Sequence, residues 1–407
     1  VAVDTTVVTQ HSTTINGTKI TYSATTGTQP VWDDQGKPIA TLFYTYYKRN
    51  NAGDMAGRPL LISFNGGPGS ASVWMHIAYT GPKVLNIDDE GFPRQPYGVH
   101  ENSSSILDVA DIVFVNPVNT GYSRTIPEKG EKVKKETFFG INADIKYLAD
   151  WLNTFVSRHD RWLSPKFLIG ESYGGTRVSG LALELQDKQW MYLNGVILVS
   201  PADYKFFLSD PAISSALNLP YYTATAWYHK VLPDALQQQD LLEILPESEA
   251  YALNVLMPAV AKGGSLSASE KMKVAEKMSY YSGLSAKSIM DHNLTVPTGF
   301  FWKELLRDRS NQTVGRLDSR YLGQDKIAAG TKPEYNAELK SWLHSFTPAI
   351  NYYIREHLKF ETDVKYNMFG EVHPWDTREN RTRENLRMAM AQNPYLNVMF
   401  QSGYYDG

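Results

Sequence analysis

The chain has 407 residues, 42% of them hydrophobic and 12% aromatic. That is more than a single domain of roughly 100–200 residues requires, so a large core with a substantial insertion, or two domains, is expected. Forty basic against 43 acidic side chains leave a net charge of -3, which offers no basic surface to nucleic acid or to an anionic membrane. Cysteine is absent, which excludes a disulfide framework, a thiolate metal site and a cysteine nucleophile. No apolar run approaches the ~18 residues of a membrane span. The polar, threonine-rich start resembles a processed, exported chain, so a secreted or periplasmic location is expected. Sequons stand at Asn16, Asn102, Asn293, Asn311 and Asn380.

In chain order, Thr18–Ser23 alternates as a strand, Asp33–Lys37 makes a turn, and Ala40–Tyr47 returns as a β-rich strand. Short apolar runs follow at Leu60–Phe64, Asp111–Val115, Phe167–Ile169 and Val196–Val199. Such runs suit central strands of a parallel sheet covered on both faces. The charged run Lys129–Glu136 reads as a solvated connection. Between the second and third runs, Ile141, Ile145, Leu148, Leu152 and Phe155 form one apolar helical stripe. Arg158 and His159 close that helix, where positive charge favours the C-terminus. From residue 201 to 393 helical stretches such as Ser267–Tyr281 and Tyr335–Phe346 alternate with aromatic and polar segments. Leu396–Ser402 then resumes as a buried strand. The expected organisation is a core over 1–200, a mainly helical cap insertion over 201–393, and a return to the core over 394–407.

Gly170-Glu171-Ser172-Tyr173-Gly174 fits G-x-S-x-G. Alone, the pattern arises by chance roughly once in ten chains of this length. Here it follows a strand and precedes a plausible helix, the context of a nucleophile elbow. Small flanking residues permit the tight turn, and the serine Oγ then stands at a helix N-terminus whose dipole favours developing negative charge. Tyr173, the residue after the nucleophile, should offer one backbone N–H to a tetrahedral oxyanion. The glycine-rich loop Asn65–Ser70, straight after an earlier strand, is placed to offer the other.

Phe64–Ser72, Val115–Ser123 and Gly170–Gly175 together resemble the motifs of the serine carboxypeptidase family (peptidase family S10, α/β-hydrolase superfamily). The resemblance covers 60–200 and 394–407, and touches the insertion at Lys365–Trp375, similar to a family segment near the substrate site. It implies an α/β fold with a mostly parallel central sheet, helices on both faces and a large cap. It implies release of C-terminal amino acids from peptides, generally at acidic pH, without metal or cofactor. Residue by residue, it gives Ser172 as nucleophile, Gly67 and Tyr173 as oxyanion-hole donors, and Asn65 and Glu171 as holders of the substrate carboxylate. Two carboxylates can meet if they share a proton, which favours acidic conditions.

This sequence departs from the family pattern in three places. Ser63 stands where the family has Trp, Tyr79 where it has Glu, and Tyr404 where Gly403–Asp406 would carry its first acid. Asp406 matches the acid that orients the catalytic histidine. The family histidine lies several tens of residues further on, so it is expected beyond Gly407, on a further segment or a second chain, together with the rest of the core. Within the chain, His373 falls in the cap, His76 is a candidate to line the cleft, and His11, His100, His159, His229, His292, His344 and His357 are expected to be solvent-facing or structural. An esterase or acyltransferase on the same scaffold, or a catalytically dead binding homologue, stays open beside the peptidase.

Overall fold

The structure, a computed structural model, describes residues 3–128, 131–204 and 210–407. These form two compact units, one of residues 3–204 with 344–401 and one of 210–343 with 402–407. Lys129 and Gly130, the start of the charged run, lie outside the described residues, while most of 131–136 is exposed as expected.

The first unit is built on a sheet with strands β1 (Thr5–Ile15), β2 (Thr18–Trp32), β3 (Pro38–Arg49), β4 (Leu60–Phe64), β5 (Asp111–Val115), β6 (Lys166–Glu171), β7 (Gly195–Val199) and β8 (Asn397–Gln401). Their order is β1-β2-β3-β5-β4-β6-β7-β8. Strands β1 to β3 pair antiparallel, β3 joins β5 antiparallel, and β5 through β8 run parallel. All five residues of β4 and of β5 are buried, in keeping with their largely apolar runs. This is the α/β-hydrolase arrangement that the motifs imply.

Alternation along β3 shows how the two faces are filled. Tyr44 and Tyr46 pack edge-on against Phe155 of helix α2 (Ile141–Arg158), whereas Tyr47 turns the other way, towards His76 of α1 (Val73–Ala78) and Tyr353. Helix α3 (Tyr173–Gln189) lies beside α2, and their contact is close enough that a side chain at Gly180 would meet Ile145. At the start of β5, the buried carboxylate of Asp111 takes Arg58 Nε at 2.9 Å and Arg161 Nη1 at 2.6 Å. Each of these charges is paired, which is the condition for burying them.

The polar, threonine-rich start forms β1, which has a mostly exposed face at Thr6, Val8, Gln10, Ser12 and Thr14 and turns Thr13 and Ile15 inward. Three sequence expectations are corrected. Strand β8 is not buried. Among the described residues it pairs on one side only, with β7, so Met399 and Phe400 remain 52% and 56% exposed. Residues 344–393 cluster with the sheet rather than with the insertion, because 367–376 bond to its loops. Residues 402–407 cluster with the second unit instead, through Ser319 N to Tyr405 O and Gly407 N to Arg316 O.

The second unit is mainly helical. The stretch expected at Ser267–Tyr281 is a helix over Ala268–Ser282, started by a capping box in which Ser267 and Glu270 bond reciprocally. Tyr222 and Phe301 stack at 4.0 Å within its apolar core, which also takes Leu219, Ile244 and Leu256. The helix expected at Tyr335–Phe346 runs over Ala337–Tyr352. Among the described residues, no helix is long and apolar enough to cross a membrane. Of the five sequons, Asn102 is committed to the fold: its buried amide donates to Tyr79 O and Gly81 O.

Candidate active site

Strand β6 ends at Glu171 and α3 begins at Tyr173, so the chain reverses within one residue. That residue, Ser172, has φ 56° and ψ -124°, a conformation that costs an L-residue energy and marks a functional turn. The turn is fixed by Ser172 N to Val199 O, and by Gly175 N and Ala202 N to Ser172 O. The serine side chain does not cap its own helix. It stands at the positive end of α3, with no hydrogen bond among the described residues.

The loop after β4 lies directly against this turn. A Cβ on Gly66 would overlap the Tyr173 backbone nitrogen and sit 2.8 Å from Glu171 O, so only glycine allows the approach. Gly67 has φ 106°, again a glycine conformation. Gly66 O accepts from Ser70 N at 3.0 Å. Among the described residues neither the Gly67 N–H nor the Tyr173 N–H has a hydrogen-bond partner. Among the described residues, two unpaired backbone donors thus flank the Ser172 turn.

Asn65 and Glu171 are also brought together. The buried Asn65 amide donates through Nδ2 to Glu171 Oε2 at 2.9 Å, while its oxygen accepts from Met75 N at 3.0 Å. Its orientation is therefore set from both ends. Tyr79, in the place of the family acid, is 44% exposed and donates to Gln401 Oε1. The segment Lys365–Trp375 ties the loops together: Gly370 N bonds to Gly69 O, Ala71 N to Met368 O, and Asn367 and Gly121 exchange both backbone bonds. Trp375 Nε1 reaches the Tyr173 hydroxyl at 3.2 Å.

The histidines correct one expectation. His76 does not line a cleft. It is buried, stacked at 4.4 Å on Phe114, and bonded through Nε2 to the Tyr47 hydroxyl at 2.6 Å. Burial pushes its imidazole down to about 3, so it stays neutral. His159 does occupy the C-cap of α2, but as a neutral ring among Tyr44, Tyr46 and Phe155 rather than a charged cap. Burial, followed by Lys48, holds it at about 4. In the second unit His229 bonds to Ser319 O and His292 to Ser288 O. Asp406 also belongs to that unit. Its pairing with Ser172 rests on the family resemblance alone.

Two buried residues of the site were not visible in the motifs. Arg177, one turn into α3, donates to Asp144 Oδ2 at 2.7 Å, to Asn65 O at 2.6 Å and to Pro68 O at 3.2 Å. Asp144 comes from the first turn of α2. The available signal was a charge on each of two helices near the apolar stripes that pack together.

Known proteins share this sequence pattern and this fold. The profile of the serine carboxypeptidase family matches residues 25–400. Serine carboxypeptidase-like 8 of Arabidopsis thaliana is 28% identical over 187 residues, 44% of this chain and 40% of that protein. The retinoid-inducible serine carboxypeptidase of Homo sapiens is 29% identical over 160 residues, 38% of this chain and 31% of that protein. The chain thus spans well under half the length of the curated relatives it matches. Among solved structures, a prohormone-processing carboxypeptidase from Saccharomyces cerevisiae superimposes with a TM-score of 0.51 at 15% identity, covering 94% of this chain and 74% of that one. With the elbow at Ser172, the glycine loop against it and a family match across most of its length, the chain belongs to the serine carboxypeptidase family, peptidase family S10.

Proposed function

We propose that this protein releases C-terminal amino acids from peptides by serine acyl-enzyme chemistry. The observation that carries the reading is the Asn65–Glu171 hydrogen bond immediately before the nucleophile, flanked by the free N–H groups of Gly67 and Tyr173. Ser172 Oγ loses its proton to a histidine and bonds to the carbonyl carbon of the last peptide bond. The oxyanion lies between the Gly67 and Tyr173 N–H groups. Collapse breaks the C–N bond, the histidine returns the proton to the departing amine, and water then hydrolyses the acyl-enzyme. Asn65 donates to the substrate's terminal carboxylate and Glu171 shares a proton with it, which places the working range at acidic pH.

Asp406 is the proposed orienting acid for that histidine. His76 and His159 are held neutral in aromatic surroundings, and neither is proposed as the base. The proposal includes a secreted or periplasmic location, in keeping with a cysteine-free chain that needs no reducing compartment. Fluorophosphonate labelling followed by peptide mapping tests the chemistry. Modification of Ser172 is expected, and it should disappear in Ser172→Ala. Absence of labelling in the full natural protein would favour a binding homologue, and ester turnover without peptide turnover would favour an esterase or acyltransferase.

A further inference from the structure

Among the described residues, the fully buried ion pair that reaches the site is Arg177–Asp144, and the reaction does not use it. Its contacts are specific in direction. In a trans peptide the C=O and the N–H point opposite ways. Holding Asn65 O therefore sets where the Gly66 N–H points, and holding Pro68 O sets the Gly69 N–H beyond Gly67. Between them, the bond from Ser70 N to Gly66 O sets the Gly67 N–H. One guanidinium thus pins the loop on both sides of its oxyanion donor. The same side chain lies 5.2 Å from the Tyr173 ring, and Tyr173 carries the other donor.

Asp144 is not only a counter-ion. Its Oδ1 accepts from the Tyr147 hydroxyl at 2.8 Å, and that hydroxyl accepts from Val118 N at 3.2 Å. The chain of bonds therefore runs from the loop after β4, through α3 and α2, to the loop after β5. Apart from α2, these segments adjoin or carry the three family motifs.

We propose that Arg177, held by Asp144, is a positioning residue that fixes the Asn65–Pro68 loop so that its N–H meets the oxyanion. The inference rests on the reading of Ser172 as nucleophile. A merely structural pair would stabilise the fold without favouring the transition state over the substrate. A positioning pair acts on the turnover number and leaves ground-state binding alone.

The test compares Arg177→Met, Arg177→Lys and a control, Arg161→Lys. Arg161 is equally buried but bonds to Asp111 and Tyr46 at the opposite ends of the strands. Arg177→Met is expected to lose kcat by about 10²-fold with KM changed by less than about threefold, the scale of a lost oxyanion donor. Affinity for a peptidyl boronate should fall in proportion to kcat/KM. Arg177→Lys should recover part of the loss, because an ammonium lacks the fork that spans two carbonyls. Arg161→Lys should lower the urea midpoint and leave kcat per folded molecule unchanged. Hydrogen exchange of amides 66–70 should accelerate in Arg177→Met alone. The inference is overturned if Arg177→Met raises KM at constant kcat, or matches Arg161→Lys in every readout. If the wild-type protein turns over no substrate, the proposed function fails, while the exchange measurement still decides whether Arg177 holds the loop.

Discussion

His76 makes folding stability depend on pH, and the size of the effect follows from its surroundings. Its ring lies between Phe114 and the hydroxyl of Tyr47, which itself bonds to the Tyr353 hydroxyl at 2.8 Å. Burial alone takes the imidazole from 6.5 to about 3. The folded state resists protonation and the unfolded chain does not, so acid favours unfolding. The stabilisation is complete above the unfolded value near 6.5 and is lost as the pH falls from there towards 3. At 1.36 kcal/mol per unit, His76 costs about 1.4 kcal/mol at about pH 5.5 and about 2.7 kcal/mol at about pH 4.5. His159 is depressed in the same direction and adds to the slope. Urea denaturation of wild type and His76→Gln across about pH 4.5 to 7.5 measures this. Glutamine keeps a partner for Tyr47 but cannot titrate. The variant should lose about 2–3 kcal/mol less than wild type over that range. Equal slopes would refute the argument.

Three further outcomes follow from the geometry. Gly66→Ala should lower kcat by about 10²-fold or more in steady-state assays, because its Cβ displaces the loop from Tyr173 N; unchanged kcat would show that the loop can retreat without cost. Asp111→Asn should destabilise the first unit by about 3–5 kcal/mol in urea melts, since Arg58 and Arg161 would be left buried and unpaired. Glu171→Gln should flatten the acid preference of kcat/KM for free-acid substrates, because an amide can meet the substrate carboxylate with no shared proton.

The parallel strands were legible because a strand buried on both faces is mostly apolar, as Leu60–Phe64 and Asp111–Val115 are apart from Ser63 and Asp111. The elbow was legible because Gly170, Ser172 and Gly174 are required by a turn that is local in sequence. β1 was not, since a solvated edge strand leaves only weak alternation. The openness of β8 was not, because Val398, Met399 and Phe400 read as core whether or not a neighbour covers them. Arg177 escaped notice for a different reason. Its partner Asp144 lies 33 residues away on another helix, and its acceptors are backbone carbonyls, which no side-chain pattern records. The lacing of 366–376 into the loops is likewise a matter of backbone bonds between distant segments.

Ser172 is proposed to act on peptide C-termini recognised through Asn65 and Glu171. The direct measurement is kcat/KM for a blocked dipeptide with a free C-terminal carboxylate against the same dipeptide amidated, at about pH 5, in wild type and in Ser172→Ala. Release of the C-terminal amino acid from the free acid, a loss of at least about 10²-fold on amidation, and no release by Ser172→Ala are expected. Equal cleavage of acid and amide, or release that survives Ser172→Ala, would contradict it.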